Sequence, residues 1–184
     1  MTTPDPRHHP SFPLADRLRR VTWGLAHALL VHWTPRPCHR WRVWIYRAFG
    51  ARLGRHCHIY PGAVVWAPWH LVCEDEVGIA NGAIIYNMGV ITIGRRAVIS
   101  QGAHLCAGTH DYTDPNFVLI PKPITVGAEA WICAEAFLHP GVTIGEGAVI
   151  GARSVVTKDM PPWMVCAGHP CVPLKPRIIR APTP

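Results

Sequence analysis

Val126, Ile132, Leu138, Ile144, Ile150 and Val156 recur every six residues, and few folds can use that interval. A helix turns once per 3.6 residues, so every sixth position swings off any one face. A single strand of period two does not run unbroken over 31 residues. Four residues after each aliphatic stands a small or β-branched residue: Ala130, Ala136, Val142, Ala148, Ser154. Gly127, Gly145 and Gly151 directly follow three of the aliphatics, where corners with positive φ are expected. Three hexads then make one triangular coil of a parallel β-helix, with large aliphatics stacked inside and the small residues in a tighter second inward position. The fold class predicted is all-β.

The chain has 184 residues and a hydrophobic fraction of 49%, enough for one domain with a small appendage. Three segments are expected. Residues 1–50 form an N-terminal helical segment, 51–160 the β-helix, interrupted by a loop at 106–125, and 161–184 a Pro-rich extended strap down the side of the prism. Within the first segment, residues 1–10 are expected to be loose. A helix begins near Ser11 or Pro13, carries the stripe Leu14, Leu18, Val21, Leu25, Ala28 and Leu29, and ends at Pro35 and Pro37. A second helix spans Arg40 to Phe49, with Trp41, Trp44, Ile45 and Ala48 on one face and Gly50 as its stop.

The net charge of +7 is unevenly placed. Arg17, Arg19, Arg20, Arg36, Arg40, Arg42, Arg47, Arg52 and Arg55 crowd the first third, against Asp5 and Asp16. With Trp among them, the helices suit the headgroup zone of a membrane; a solenoid also needs a cap over its open end, and the two roles are compatible. The arginines are interleaved with core-type aromatics and no nucleic-acid motif is present, so nucleic acid is not an expected partner. Seven cysteines without a Cys-x-x-Cys pair fit free thiols in a reducing, cytoplasmic setting, peripheral to the inner membrane if the helices touch it.

The hexads are ragged before Val126. A first phase reads Leu53, Ile59, Val65, Leu71, Val77, Ala83. It then slips by four across Tyr86–Gly89 and restarts at Ile93, Ile99, Leu105. The stretch after Leu105 leaves the repeat, and loops that leave a rigid solenoid tend to carry its function. That loop holds Thr109-His110-Asp111. A neutral imidazole is a natural general base for an attacking alcohol, provided its second nitrogen is fixed; Asp111, Asp114 or a backbone carbonyl are the available acceptors. Asn81 and Asn87, at corners, are candidates for contacting a substrate, although the tolerance of corner Asn for positive φ is the simpler account.

Several motifs together resemble the hexapeptide-repeat O-acetyltransferases. They are the hexads, the His-Asp loop, Pro140-Gly141-Val142-Thr143-Ile144-Gly145, Ser154-Val155-Val156-Thr157-Lys158-Asp159-Met160-Pro161-Pro162 and Ala167-Gly168-His169-Pro170. The N-terminal Arg/Trp helices, Phe49-Gly50-Ala51, Pro68-Trp69, Ile99-Ser100-Gln101-Gly102 and His110-Asp111-Tyr112 with Asp114-Pro115 are most similar to the colanic-acid biosynthesis type. The resemblance implies a left-handed β-helix, a homotrimer with active sites between subunits, acetyl-CoA as donor without a metal, and a saccharide or lipid-linked saccharide acceptor in exopolysaccharide biosynthesis. It implies His110 as catalytic base, Trp131 lining the coenzyme A and acceptor cleft, Ala152 beside the pantetheine arm, and Thr157 and Lys158 near the adenosine phosphates. Arg177 is an alternative phosphate ligand. Cys133, Arg153, His169 and Cys171 depart from the family pattern; Arg153 and His169 do so in the strip expected to meet coenzyme A. Two other readings share the β-helix: a trimeric zinc enzyme of the γ-class carbonic anhydrase type, for which His70, His104, His110 and His139 are available but not at that class's spacing, and a non-enzymatic scaffold.

Overall fold

Ile132 lies fully buried between Ile99 and Ile150, its register partners one coil away on either side. That stacking of like on like builds the molecule. A computed structural model describes residues 12–180; residues 1–11, including Ser11 and the N-terminal stretch expected to be loose, and 181–184 lie outside it. Short parallel strands form a three-sided prism. The first face holds Arg52–Leu53, Leu71–Cys73, Ile91–Ile93, Ile124–Val126 and Thr143–Ile144. The second holds His58–Ile59, Gly78–Ile79, Val98–Ile99, Trp131–Ile132, Val149–Ile150, Met164–Gly168 and Cys171–Pro176. The third holds Val64–Val65, Ile84–Tyr86, His104–Cys106, Phe137–Leu138 and Val155–Val156.

From Val126 onward Trp131 pairs with Val149 and Phe137 with Val155, so three hexads close one coil as expected. The earlier coils are longer. Leu53 pairs with Cys73 and Cys73 with Ile93, which corrects the expected single slip of four residues. There are two insertions of two residues each, one at the 3₁₀ turn Pro68–His70 and one between Tyr86 and Ile91. Leu71, Val77 and Ala83 continued the six-residue spacing because they are also buried; they fill the second inward row, and hydrophobicity alone does not separate two inward rows.

The corner glycines also differ from expectation. Gly127, Gly145 and Gly151 do not have positive φ; that conformation falls on Glu76, Arg96, Glu129, Glu135, Arg153 and Gly147, among others. Gly127 is required for a different reason. A Cβ there would sit 2.6 Å from the Glu146 nitrogen of the next coil, closer than non-bonded atoms approach.

The N-terminal helices close the open end of the prism. Helix α1 (Leu14–Ala26) continues as a π-helical turn through Val31, and helix α2 spans His39–Ala48. The first strand of each face would leave carbonyls unpaired, and a long unpaired edge invites association. Donor side chains of the cap meet them. Trp23 Nε1 donates to the Val65 carbonyl (2.8 Å), and His27 Nε2 lies 3.1 Å from the Ala63 carbonyl. Arg42 Nε donates to Ile59 O and Arg47 to Leu53 O and Gly54 O. Arg42 is fully buried without a carboxylate, its charge spread over carbonyls of Pro35, Arg36 and Ile59. Helix α2 buries Arg42, Val43, Ile45 and Tyr46; Trp41 and Trp44, expected on the same face as Ile45, point outward.

Residues after Met160 do not run simply down the side as expected. Met164–Gly168 extends the second face in parallel and Cys171–Pro176 turns back antiparallel. Only then does Arg177 reach along a corner to the carbonyls of Glu129 and Gly147. All seven cysteines are free, and burial pushes the thiols of Cys57, Cys73, Cys133, Cys166 and Cys171 up, Cys171 to about 11.

Burial lowers the pKa of His27, His39 and His104. At His39 the Ile59 carbonyl 3.2 Å from Nδ1 opposes this, and the positive charge of Arg42 beside the ring adds to it. A histidine harder to protonate when folded binds more protons when unfolded, so stability is fully present above the unfolded value near 6.5 and falls as pH drops below it. The melting temperature should therefore decline from pH 7 to pH 5 in a thermal-shift titration; a flat profile would contradict this account.

Candidate functional site

After the third-face strand His104–Cys106, the chain leaves the prism as an antiparallel hairpin, Gly108–His110 against Leu119–Pro121. This is the departure from the repeat expected at 106–125. At its tip the His110 ring stacks on Phe117, with centroids 4.3 Å apart and planes within 12°. Its Nδ1 lies 2.8 Å from the Phe117 carbonyl oxygen. A carbonyl only accepts, so Nδ1 carries a proton here, and in the neutral ring the lone pair a general base needs is then the one on Nε2. Phe117 reaches this position at φ +51°, a left-handed conformation that costs a side-chain-bearing residue about 1–2 kcal/mol. Of the three candidate orienting groups, the structure selects the backbone carbonyl.

Asp111, expected as a catalytic partner, does something else. Its carboxylate accepts from the Thr113 amide (2.9 Å) and hydroxyl (2.6 Å). Those bonds hold its pKa below the usual carboxylate range. Asp114 similarly accepts from the Asn116 amide. Both carboxylates shape the loop.

The other predicted residues fall at separate corners. Trp131 stands half-exposed on the second face, its Nε1 donating to the Ser100 hydroxyl at 2.8 Å. Ala152 is exposed at the corner between second and third faces, beside Arg153, which pairs with Glu135. Thr157 and Lys158 are exposed at the opposite corner, between third and first faces, the corner from which the His110 hairpin departs. Within one chain, then, His110 shares a corner with Thr157 and Lys158, while Trp131, Ala152 and Asn81 lie on the other side of the third face. Arg177 is half-buried and gives Nη1 to two backbone carbonyls, so its observed post is to anchor the tail.

The two asparagines also part. Asn87 is fully buried; its amide pairs both ways with the Ala67 backbone. It stitches the two-residue insertion of one coil to the next and has no atom to offer a ligand, which corrects its expected role. Asn81 accepts from the Gly62 amide through Oδ1 and lines an open pocket of 480 Å³ with Arg36, His58, Tyr60, Ser100 and Gln101, a volume typical of small-molecule sites. The floor is Gly78. In the outward row His58, Gly78, Val98, Trp131 it is the one residue without a side chain, and a Cβ there would meet nothing within 4 Å. That missing side chain was the sequence signal for the pocket, and Ser100 joins it to Trp131. Among the described residues no three His, Cys, Asp or Glu side chains of one chain gather as a metal site.

Residues 123–158 match the model of the bacterial transferase hexapeptide (six repeats). The chain is 38% identical over 156 residues to the putative colanic acid biosynthesis acetyltransferase WcaF of Escherichia coli, covering 85% of this chain and 86% of that protein. It is 41% identical to the galactoside O-acetyltransferase of E. coli over 93 residues, 49% of this chain and 43% of that one. Among solved structures, the Vibrio cholerae hexapeptide-repeat acetyltransferase VCA0836 complexed with acetyl-CoA superposes with a TM-score of 0.82 at 23% identity, covering 94% of each chain. A galactoside acetyltransferase in complex with coenzyme A gives 0.77 at 22%, covering 96% of this chain and 92% of that one. At such identities these two likenesses speak for the fold.

Proposed function

Because the chain belongs to the hexapeptide-repeat acetyltransferases, we propose that it moves the acetyl group of acetyl-CoA to a hydroxyl of a saccharide used in exopolysaccharide assembly, with His110 as general base. The observation that carries the reading is the Nδ1–H to Phe117 carbonyl bond, which fixes the ring on the loop and makes Nε2 the nitrogen that takes the proton in the neutral tautomer. Nε2 takes the proton of the acceptor hydroxyl as that oxygen bonds to the acetyl carbonyl carbon. The carbon–sulfur bond then breaks, and the departing thiolate receives the proton back from the imidazolium. No acyl-enzyme is needed.

The acceptor fits the pocket of Asn81, Arg36, Tyr60 and Gln101, whose polar groups suit sugar hydroxyls, with Trp131 at its margin. The coenzyme A arm would lie against the coils ending at Ala152, Thr157 and Lys158; the Lys158 ammonium suits a phosphate as a point charge. One chain sets His110 and the acceptor pocket on opposite sides of its third face. A homotrimer, in which the hairpin of one subunit faces the second face of the next, brings them together. The third face turns the row Val64, Ile84, His104, Phe137 and Val155 outward, mostly apolar surface with one histidine that suits such a contact. No metal takes part in the steps as written. The likeness to WcaF over most of both chains supports the exopolysaccharide acceptor.

The test is thiol release from acetyl-CoA by the purified protein across a panel of saccharides. Turnover is expected with at least one, and its absence with all of them would overturn the reading. Gly78→Leu fills the pocket floor from a position where a Cβ meets nothing within 4 Å. It should raise the KM for the saccharide at least about tenfold, leave the KM for acetyl-CoA alone, and keep the melting temperature.

A further inference from the structure

Helix α1 is amphipathic in the sense opposite to a usual capping helix. Arg19, Trp23 and His27, four residues apart, make the face that docks: Arg19 lies over the Trp69 ring, and Trp23 and His27 meet backbone carbonyls. The aliphatic stripe Leu14, Leu18, Val21, Leu25 and Leu29 therefore faces away from the protein, each residue 57–73% exposed. Contact continues from its end. Trp41 donates to the Leu30 carbonyl and stacks on Trp44 at 5.5 Å, and Trp33 is 79% exposed nearby in sequence. Trp44 in turn walls a pocket of 590 Å³ that also holds Arg40, His56, Arg47, which donates to the Leu53 and Gly54 carbonyls, and Arg55, whose pairing with Asp75 is loose and exposed at 3.6 Å.

An apolar ridge, an aromatic pair and a cationic pocket thus follow one another. Arg17 and Arg40 are exposed without an ion-pair partner among the described residues, and the one acid of the two helices, Asp16, pairs with Arg20. A second copy docking ridge to ridge would bring like charges together. An anionic bilayer meets every part: acyl chains the leucines, the interfacial zone the tryptophans, headgroup phosphates the arginines. No described helix is long and apolar enough to cross a membrane, so the contact is in-plane. We infer that the outward face of α1 and α2 seats the protein on an anionic lipid surface, with the Arg40–Arg47–Arg55 pocket taking a headgroup phosphate. The inference stands apart from acetyl transfer and gives an acceptor carried on lipid a reason to be met there.

The experiment is flotation of the full chain with vesicles of phosphatidylcholine alone or of equal parts phosphatidylcholine and phosphatidylglycerol. Wild type should float with the anionic vesicles and not the neutral ones, and Arg40→Glu should weaken that binding. The double variant Leu18→Glu/Leu25→Glu should lose it at least about tenfold while keeping its melting temperature and its thiol release with a soluble saccharide. His110→Ala should float as wild type, which separates this result from the fate of the catalytic reading. The idea is overturned if wild type does not float, if it floats equally with both vesicles, if the double variant floats unchanged, or if that variant alters the oligomeric mass in light scattering, since a second copy would then cover the ridge.

Discussion

Replacing His110 with Ala should lower kcat about 10²–10⁴-fold and leave the KM for acetyl-CoA nearly unchanged. The size follows from what is lost: proton removal from an alcohol that water at neutral pH does not deprotonate. The selectivity for kcat follows from position, because His110 stands on a hairpin tip outside the coils against which a coenzyme A arm would lie. The same geometry separates His110 from its neighbour. Asp111 bonds Thr113 and does not touch the imidazole. Asp111→Asn keeps an oxygen for both Thr113 bonds and should cost less than about tenfold. Steady-state kinetics on the two variants checks both statements. An Asp111→Asn enzyme as impaired as His110→Ala would show that the carboxylate, not the Phe117 carbonyl, orients the base.

Ile132→Ala should destabilise the fold by about 2–5 kcal/mol, and Ile132→Val by about 0.5–1.5 kcal/mol. Ile132 is buried mid-stack, and the strands on either side of its own are hydrogen-bonded in register, Ile99 below and Ile150 above. A solenoid cannot collapse into such a hole without breaking those ladders, so the cavity persists. For a chain of this size each kcal/mol lowers the melting temperature by roughly 2–4 °C. Thermal or urea denaturation measures the effect. Equal losses for the Ala and Val variants would argue that the cost lies in the backbone and not in the void.

The predicted and observed structures diverge where burial has more than one cause. The six-residue interval from Val126 to Val156 is legible because each large aliphatic has one place to go. Upstream, Leu71, Val77 and Ala83 keep the spacing while belonging to the other inward row, so two short insertions look like one slip. The helical cap shows the same limit more sharply. The aliphatic stripe of α1 reads as a packing face, yet the prism end presents unpaired carbonyls at Leu53, Ile59, Ala63 and Val65. Those carbonyls need donors. Trp23, His27, Arg42 and Arg47 satisfy them, and the leucines are left outside.

The same division runs through the site. His110 stood out because a polar His-Asp loop interrupts a regular repeat, and the stacked aliphatics by themselves determined the prism, since stacking at that interval has no other economical solution. The orienting group did not stand out, because it is a backbone carbonyl and every residue has one; only the left-handed turn at Phe117 brings it to Nδ1. Asn81 and Asn87 look alike as corner asparagines, and the tertiary structure alone buries one between coils and leaves the other on a pocket wall. Local spacing determines which side chains turn inward. Which inward or outward group finds a hydrogen-bond partner depends on the neighbouring coil, 18 or 20 residues away in most of the prism and 33 across the hairpin, and that is a property of the assembled prism.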